Sequence, residues 1–277
     1  MADITAAAVK ALREITDLPM MTCKKALVQA EGDQDKAIAI LKEEVGKVRE
    51  KRADNATEEG FIFSKVNDDG SAAVMVEVLC ESAPVATGKD LADFGAQLTE
   101  QLMNGPGAAT AEELLAQPAP GTDQTLQEIF DSIVNKIREK IIVGRITKQE
   151  GPVASYVHHN GKIAVLFKAS GEKLNMDVMR DVAMHIAAMN PTVCSESDVD
   201  PAAVKEYRAQ LTEEAKASGK PENIIEKMVD GRMKNFYVEQ GVLVAQAFAK
   251  DDSKTVSQAL AEGGLTADSF TLWVLGN

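Results

Sequence analysis

Glu59-Gly60-Phe61-Ile62-Phe63-Ser64-Lys65-Val66-Asn67-Asp68-Asp69-Gly70-Ser71-Ala72-Ala73-Val74 is a pattern that the chain uses twice. Glu59-Gly60, Val66, Gly70 and Ala73-Val74 return at one constant interval as Glu150-Gly151, Val157, Gly161 and Ala164-Val165. The register continues into Asp90-Leu91-Ala92, matched by Asp181-Val182-Ala183, with Phe94 in the place of His185. Repetition without an insertion implies two related subdomains. Each copy holds two apolar runs around a polar, Gly-containing turn. These are Phe61 to Val66, Asn67-Asp68-Asp69-Gly70 and Ala72 to Leu79 in the first, and Val153 to Val157, His158-His159-Asn160-Gly161 and Ile163 to Phe167 in the second. Both are β-hairpin signals, and the helical stretches Asp90 to Met103 and Met176 to Met189 follow them. The predicted class is α+β, with helices on one face of small antiparallel sheets.

Upstream of the repeat, Thr5 is placed to cap a helix with Val9, Leu12 and Ile15 at helical spacing. Thr22 is placed to cap a second helix running through Ala26, Leu27 and Ala30 until Gly32. Asp33 to Glu44 supply a third helix with Ala37, Ile38 and Leu41 on one face, which makes a three-helix bundle with a Met20-Met21 elbow. Both methionines plug this small core, or at least one faces outward. Adjacent residues on a tight turn diverge, so one is expected to be offered to a partner, where methionine adapts well. Downstream, Asp123 to Val143 reads as one long helix reached through Gln117-Pro118-Ala119-Pro120-Gly121. Pro201 to Ala217 and Pro221 to Tyr237 read as a helical hairpin around Ser218-Gly219-Lys220. Its expected seam sets Val204, Tyr207, Leu211 and Ala215 against Ile224, Ile225 and Met228; the hairpin either projects as an interaction arm or packs on its own domain. The predicted division is 1–53, 54–148 and 149–277, with the hairpin at 198–238.

A chain of 277 residues with 45% hydrophobic content has enough material for more than one core. No run approaches the length of a membrane span, and Met1-Ala2-Asp3-Ile4-Thr5 lacks a basic and then apolar leader, so a cytoplasmic protein is expected. Cys23, Cys80 and Cys194 are far apart, which fits reduced thiols. The net charge of −13 argues against a nucleic-acid-coating protein. The basic stretches Lys47 to Arg52 and Lys136 to Lys148 read as solvated linker or helix faces.

The motifs of nucleotide, dinucleotide and hydrolytic chemistry are missing. Ser218-Gly219-Lys220-Pro221 lacks the first glycine and the hydroxyl of a phosphate loop, and Gly105-Pro106-Gly107 lacks a preceding strand and a third glycine. With no Gly-x-Ser-x-Gly elbow and only three histidines, no enzyme, cofactor or metal is expected. His158 and His159 are expected to diverge in their turn, and His185 reads as a core histidine.

Leu12-Arg13-x-x-Thr16, Met20-Met21-x-Cys23-Lys24-Lys25-Ala26-Leu27, Tyr156-x-His158, Met184-His185-Ile186-Ala187-Ala188, Glu226-Lys227-Met228-Val229-x-Gly231-Arg232-Met233-Lys234 and Asp252-Ser253-Lys254-Thr255-Val256 together resemble bacterial elongation factor Ts. That family is the guanine-nucleotide exchange factor of elongation factor Tu, and the likeness covers nearly the whole chain. It implies an N-terminal module like ubiquitin-associated domains, a duplicated core and a coiled-coil arm inserted in the second subdomain. It implies that Lys10, Arg13, Met20 and Met21 grip the partner's nucleotide domain and that His158 faces the partner. It also implies that a Thr-Asp-Phe-Val-Ala segment wedges apart helices near the partner's Mg²⁺ and phosphate site.

Here that segment is Ser82-Ala83-Pro84-Val85-Ala86, without the carboxylate and the ring. A contribution of about 2–3 kcal/mol from the missing pair would correspond to a loss of roughly 30- to 150-fold in rate. Glu81 is the nearest candidate to replace the acid. Asp17-Leu18-Pro19 stands where a glycine-rich turn is usual, and Phe270 to Leu275 read as a final strand, where many members continue into a further helix. The expected function is release of GDP from elongation factor Tu, driven by Val85, Ala86, His158 and the N-terminal grip. The rival is a stabiliser or regulator that binds the same GTPase with weakened exchange. An unrelated enzyme is the third reading. No nucleic acid or membrane is an expected partner; a homodimer or two-to-two complex through the hairpin stays open.

Overall fold

The computed structural model describes residues 4–16, 18–172, 174–217 and 221–276. The Ser218-Gly219-Lys220 connection, Asp17 and Met1 to Asp3 lie outside the described residues. The first unit comprises α1 (Ala6–Thr16), α2 (Met20–Gln29) and α3 (Gln34–Lys51). Thr5 accepts a hydrogen bond from the Ala8 N–H at 3.2 Å, and Asp33 accepts from Lys36 N at 3.0 Å, so both helices start on a capping side chain. Val9, Leu12, Leu18, Cys23, Leu27, Ala37 and Leu41 form the shared core.

Two expectations about this unit are corrected. The second helix begins at Met20, not after Thr22, because Pro19 precedes it with φ −55° and ψ 141°, and proline is preset for a helix start. Met20 and Met21 are therefore the first helical turn and not an elbow. The third helix also runs past Glu44 to Lys51, where Val45 and Val48 leave the small core and join that of the next subdomain.

The first sheet is β1 (Glu59–Val66), β2 (Ala72–Cys80) and β3 (Ile141–Glu150), all antiparallel in the order β1-β2-β3. Between β2 and β3 come α4 (Ala83–Ala86), α5 (Lys89–Asn104), α6 (Ala111–Leu115) and α7 (Leu126–Ile137). β3 overturns the single helix expected over Asp123 to Val143. The helix stops at Arg138, which adopts the left-handed conformation (φ 65°), and the apolar run after it pairs with β2.

The second sheet, in the order β4-β5-β8, is built from β4 (Val153–Val157), β5 (Ile163–Gly171) and a strand from far downstream. α8 (Met176–Met189) covers it. Then α9 (Pro201–Lys216) and α10 (Glu222–Glu239) form the hairpin, and β6 (Ala247–Phe248), β7 (Asp251–Thr255) and α11 (Val256–Glu262) lead into β8 (Leu265–Val274). The hairpin seam sets Leu211, Ala215 and the Tyr207 ring against Val229, Met233 and Phe236; Tyr207 stacks on Phe236 at 4.5 Å. Ile225 packs partly there as expected, whereas Ile224 is exposed, so the register differs from the predicted one.

The two sheets also pack on each other. Along β2, Val74, Val76, Val78 and Cys80 face the helices, while Ala73 and Met75 join Ile62, Val153, Ala164, Leu166 and Trp273 in a core between the sheets. β5 alternates in the same way, with Val165 and Phe167 toward α8 and Ala164 and Leu166 toward the first sheet. Arg145, on β3, donates to Glu77 on β2 and to the Val274 carbonyl on β8, and its guanidinium lies 4.8 Å over the Trp273 ring. The expected solvated face around Lys136 to Lys148 is thus corrected at this residue. The three cysteines are free and buried, and burial pushes the Cys80 and Cys194 thiols up to about 11.

Candidate functional site

With its core closed by Leu18, the N-terminal unit leaves Met20 41% and Met21 62% exposed. Lys10 and Arg13 are exposed on α1, and Lys10 makes only a surface pair with Glu14 at 3.7 Å. The unit is attached to the first subdomain through α3 and α7. Arg49 meets Asp131 at 2.7 Å and lies 5.2 Å over the Phe130 ring, Arg138 meets Glu44 at 3.0 Å, and the buried Asn135 donates to the Leu41 carbonyl at 3.2 Å. A cavity of about 210 Å³ remains at this junction, walled by Ile15, Leu18, Ile38, Leu41 and Val45. The basic stretch at the end of α3 therefore ties module to core, which its sequence did not announce.

Ser82 to Ala86 form a single helical turn directly after β2. Ser82 takes the N-cap position, Pro84 lies in the first turn, and the Ser82 hydroxyl donates to Glu139 Oε1 at 2.8 Å. Ala83 and Pro84 are exposed, Val85 is half-buried, and Ala86 is 6% exposed within the subdomain core. The Glu81 carboxylate is engaged within the chain. It accepts from Arg52 and Asn55, each at 2.8 Å, and from the Lys140 N–H, so it is occupied in holding the chain after α3 against β3. Burial pushes this carboxyl up, but those donors outweigh it and hold its pKa below the usual value.

The second hairpin turn lies against the same strand as α4. Ile62 N donates to the Gly161 carbonyl at 2.8 Å, Lys162 meets Glu59 at 2.8 Å, and Glu59 is the register partner of Cys80. The Phe61 ring rests where Gly161 has no side chain; an added Cβ would sit 2.1 Å from it. β1 thus carries the α4 turn at one flank and the His158 turn at the other. His158 is half-buried, its Nδ1 is 3.0 Å from the Tyr156 hydroxyl, and the exposed His159 ring lies 4.3 Å from its own. The two rings lie side by side, against the divergence expected of this turn. Tyr156 escaped the sequence reading as a site residue, although the Tyr-x-His spacing across the end of β4 was its signal.

His185 has a different setting. It is 1% exposed, its Nδ1 accepts from Ala249 N at 3.1 Å, and its Nε2 therefore donates to Gln246 Oε1 at 3.0 Å. Burial holds its pKa below the ordinary histidine value, against a smaller opposing pull from Gln246. Below about pH 6.5 the unfolded chain takes up a proton that the folded chain resists, so this site costs stability as pH falls and costs nothing above that range. The urea midpoint of His185→Gln is expected to fall less than that of the unaltered chain between about pH 7.5 and 5.5. An equal fall in both would remove His185 as the cause.

Among the described residues no cluster of three His, Cys, Asp or Glu is placed to hold a metal ion, and no helix is long and apolar enough to cross a membrane. A family model described as Elongation factor TS matches residues 83–277. The chain is 41% identical over its whole length to the full-length Elongation factor Ts of Paenarthrobacter aurescens. It is 40% identical to that of Cytophaga hutchinsonii, over 98% of each chain, and 38% identical to that of Azoarcus sp., over all of this chain and 92% of the relative. These likenesses include the N-terminal unit that the family model leaves out.

Proposed function

The chain belongs to the elongation factor Ts family, and from that premise we propose that it binds elongation factor Tu·GDP in the cytoplasm and promotes GDP release by disturbing the Mg²⁺ and phosphate site. The observation that carries this reading is the outward turn of Met20 and Met21 on a module whose own core is already closed. Lys10 and Arg13 flank that grip, the module at 1–53 acts like a ubiquitin-associated domain, and subdomains 54–148 and 149–277 apply the second contact. Ser82, Ala83, Pro84 and Val85 meet the partner, with Ala86 anchoring the turn from inside, and His158 meets it from the neighbouring hairpin. The helical hairpin within 198–238 serves as a coiled-coil arm.

Exchange of this kind makes no covalent bond. A factor that lowers the affinity for GDP has its own affinity lowered by GDP to the same degree, so grip and release are one coupling free energy. A second reading, a stabiliser that holds the GTPase without opening it, is favoured by one feature: exposed positions 83 and 84 carry neither acid nor ring, and Glu81 is occupied. Stopped-flow release of a fluorescent GDP analogue from the same organism's elongation factor Tu separates the two. Acceleration on the order of 100-fold at saturating concentration is expected for exchange. Binding with little acceleration would leave the stabiliser.

A further inference from the structure

We propose that Tyr156 is a positioning residue that selects the His158 tautomer bearing its proton on Nε2, so that Nε2–H is presented as a donor to a carbonyl or carboxylate oxygen of the GTPase. This rests on the reading of His158 as a partner contact. The geometry points to it in three ways. Tyr156 is the penultimate residue of β4 and His158 the first residue beyond it, and the Tyr156 ring packs against the second subdomain core, which holds its hydroxyl in place. That hydroxyl makes its only hydrogen bond among the described residues with His158 Nδ1, at 3.0 Å. A phenol is a far stronger acid than a neutral imidazole N–H, so the hydroxyl donates and Nδ1 accepts.

The ring is confined from other directions as well. The His158 backbone N–H donates to the Ile163 carbonyl at 2.8 Å, and the His159 ring lies alongside at a 58° tilt. Nε2 has no partner among the described residues. A donor aimed in advance avoids the cost of selecting tautomer and rotamer at the moment of binding. Position 156 therefore sets the polarity of the contact, and the matching atom on the GTPase is an acceptor.

The test uses the full chain with ¹⁵N-labelled histidine, at about pH 8.5 where imidazoles are neutral. The ring-nitrogen shifts of His158 should report protonated Nε2, and Tyr156→Phe should shift them toward a tautomer mixture without moving the thermal midpoint. With elongation factor Tu, Tyr156→Phe should slow factor-stimulated GDP release about 3- to 10-fold, the range of one lost hydrogen bond. In a His158→Ala background the same change should have no further effect. A proton on Nδ1, or a tautomer unmoved by Tyr156→Phe, overturns the proposal, as does a full additional loss in the His158→Ala background. If the tautomer is as stated but His158→Ala leaves release unchanged, the fault lies in the partner-contact reading, and the presenting role falls with it.

Discussion

Arg145→Met is expected to destabilise the folded chain by about 3–5 kcal/mol, because it strands a carboxylate between the two sheets. Glu77 has a side chain only 5% exposed and receives Arg145 through both guanidinium arms, with Nε at 3.1 Å from Oε2. Among the described residues its remaining partner is Gly276 N at 3.2 Å, so loss of the arginine leaves a buried negative charge with one N–H donor there. Methionine preserves much of the aliphatic packing over Trp273, so the loss is electrostatic rather than a cavity. Removing both charges, as Glu77→Leu with Arg145→Met, should cost less than the single change, since no ion then remains to be desolvated. Urea midpoints of the three proteins measure this. A double variant that is less stable than Arg145→Met would show that the pair contributes net stability of its own.

Met20→Ala with Met21→Ala is expected to weaken binding to elongation factor Tu by about 10- to 100-fold, or roughly 1.4–2.8 kcal/mol. The unfolding midpoint should not move, since the two side chains are exposed and contribute little to the module core. Leu18→Ala supplies the contrast. That side chain is 2% exposed, and its truncation should cost the module about 2–5 kcal/mol. Titration against the GTPase and thermal unfolding of the same samples decide the matter. A double methionine variant that loses stability but keeps its affinity would return the pair to a packing role.

The duplication was legible because its turns and apolar alternation are local, and both hairpins and both following helices stand where the repeat put them. The third strand of each sheet was not. β3 follows a helix that ends at Arg138, where no glycine marks the break, and β8 arrives from far downstream with nothing in the repeat to pair it. The contact between the sheets was hidden for a related reason. A strand buried on both faces reads as one apolar run, and β2 gives no sign of which residues face helices and which face another sheet. At the candidate site, Thr22 carried the better capping chemistry, but Pro19 set the start of α2 and so turned both methionines out. The engagement of Glu81 depends on Arg52, Asn55 and Lys140, a convergence that only tertiary structure produces.

The pairing of β5 with β8 bears on how the chain is made. Synthesis is vectorial, and roughly 90 residues separate the two strands, so at about 5–20 residues per second β5 waits some 5–20 s for its neighbour to be translated. The small core of the N-terminal unit draws on its own residues alone and is free to form early, whereas Val45 and Val48 wait for the first subdomain. The second sheet instead shows an unpaired β5 edge throughout that interval, and Glu77, 199 residues before Gly276, waits about twice as long for the segment that closes over it. A growing chain is thus most exposed to chaperones and to mispairing between neighbouring nascent chains while the helical hairpin is being synthesised.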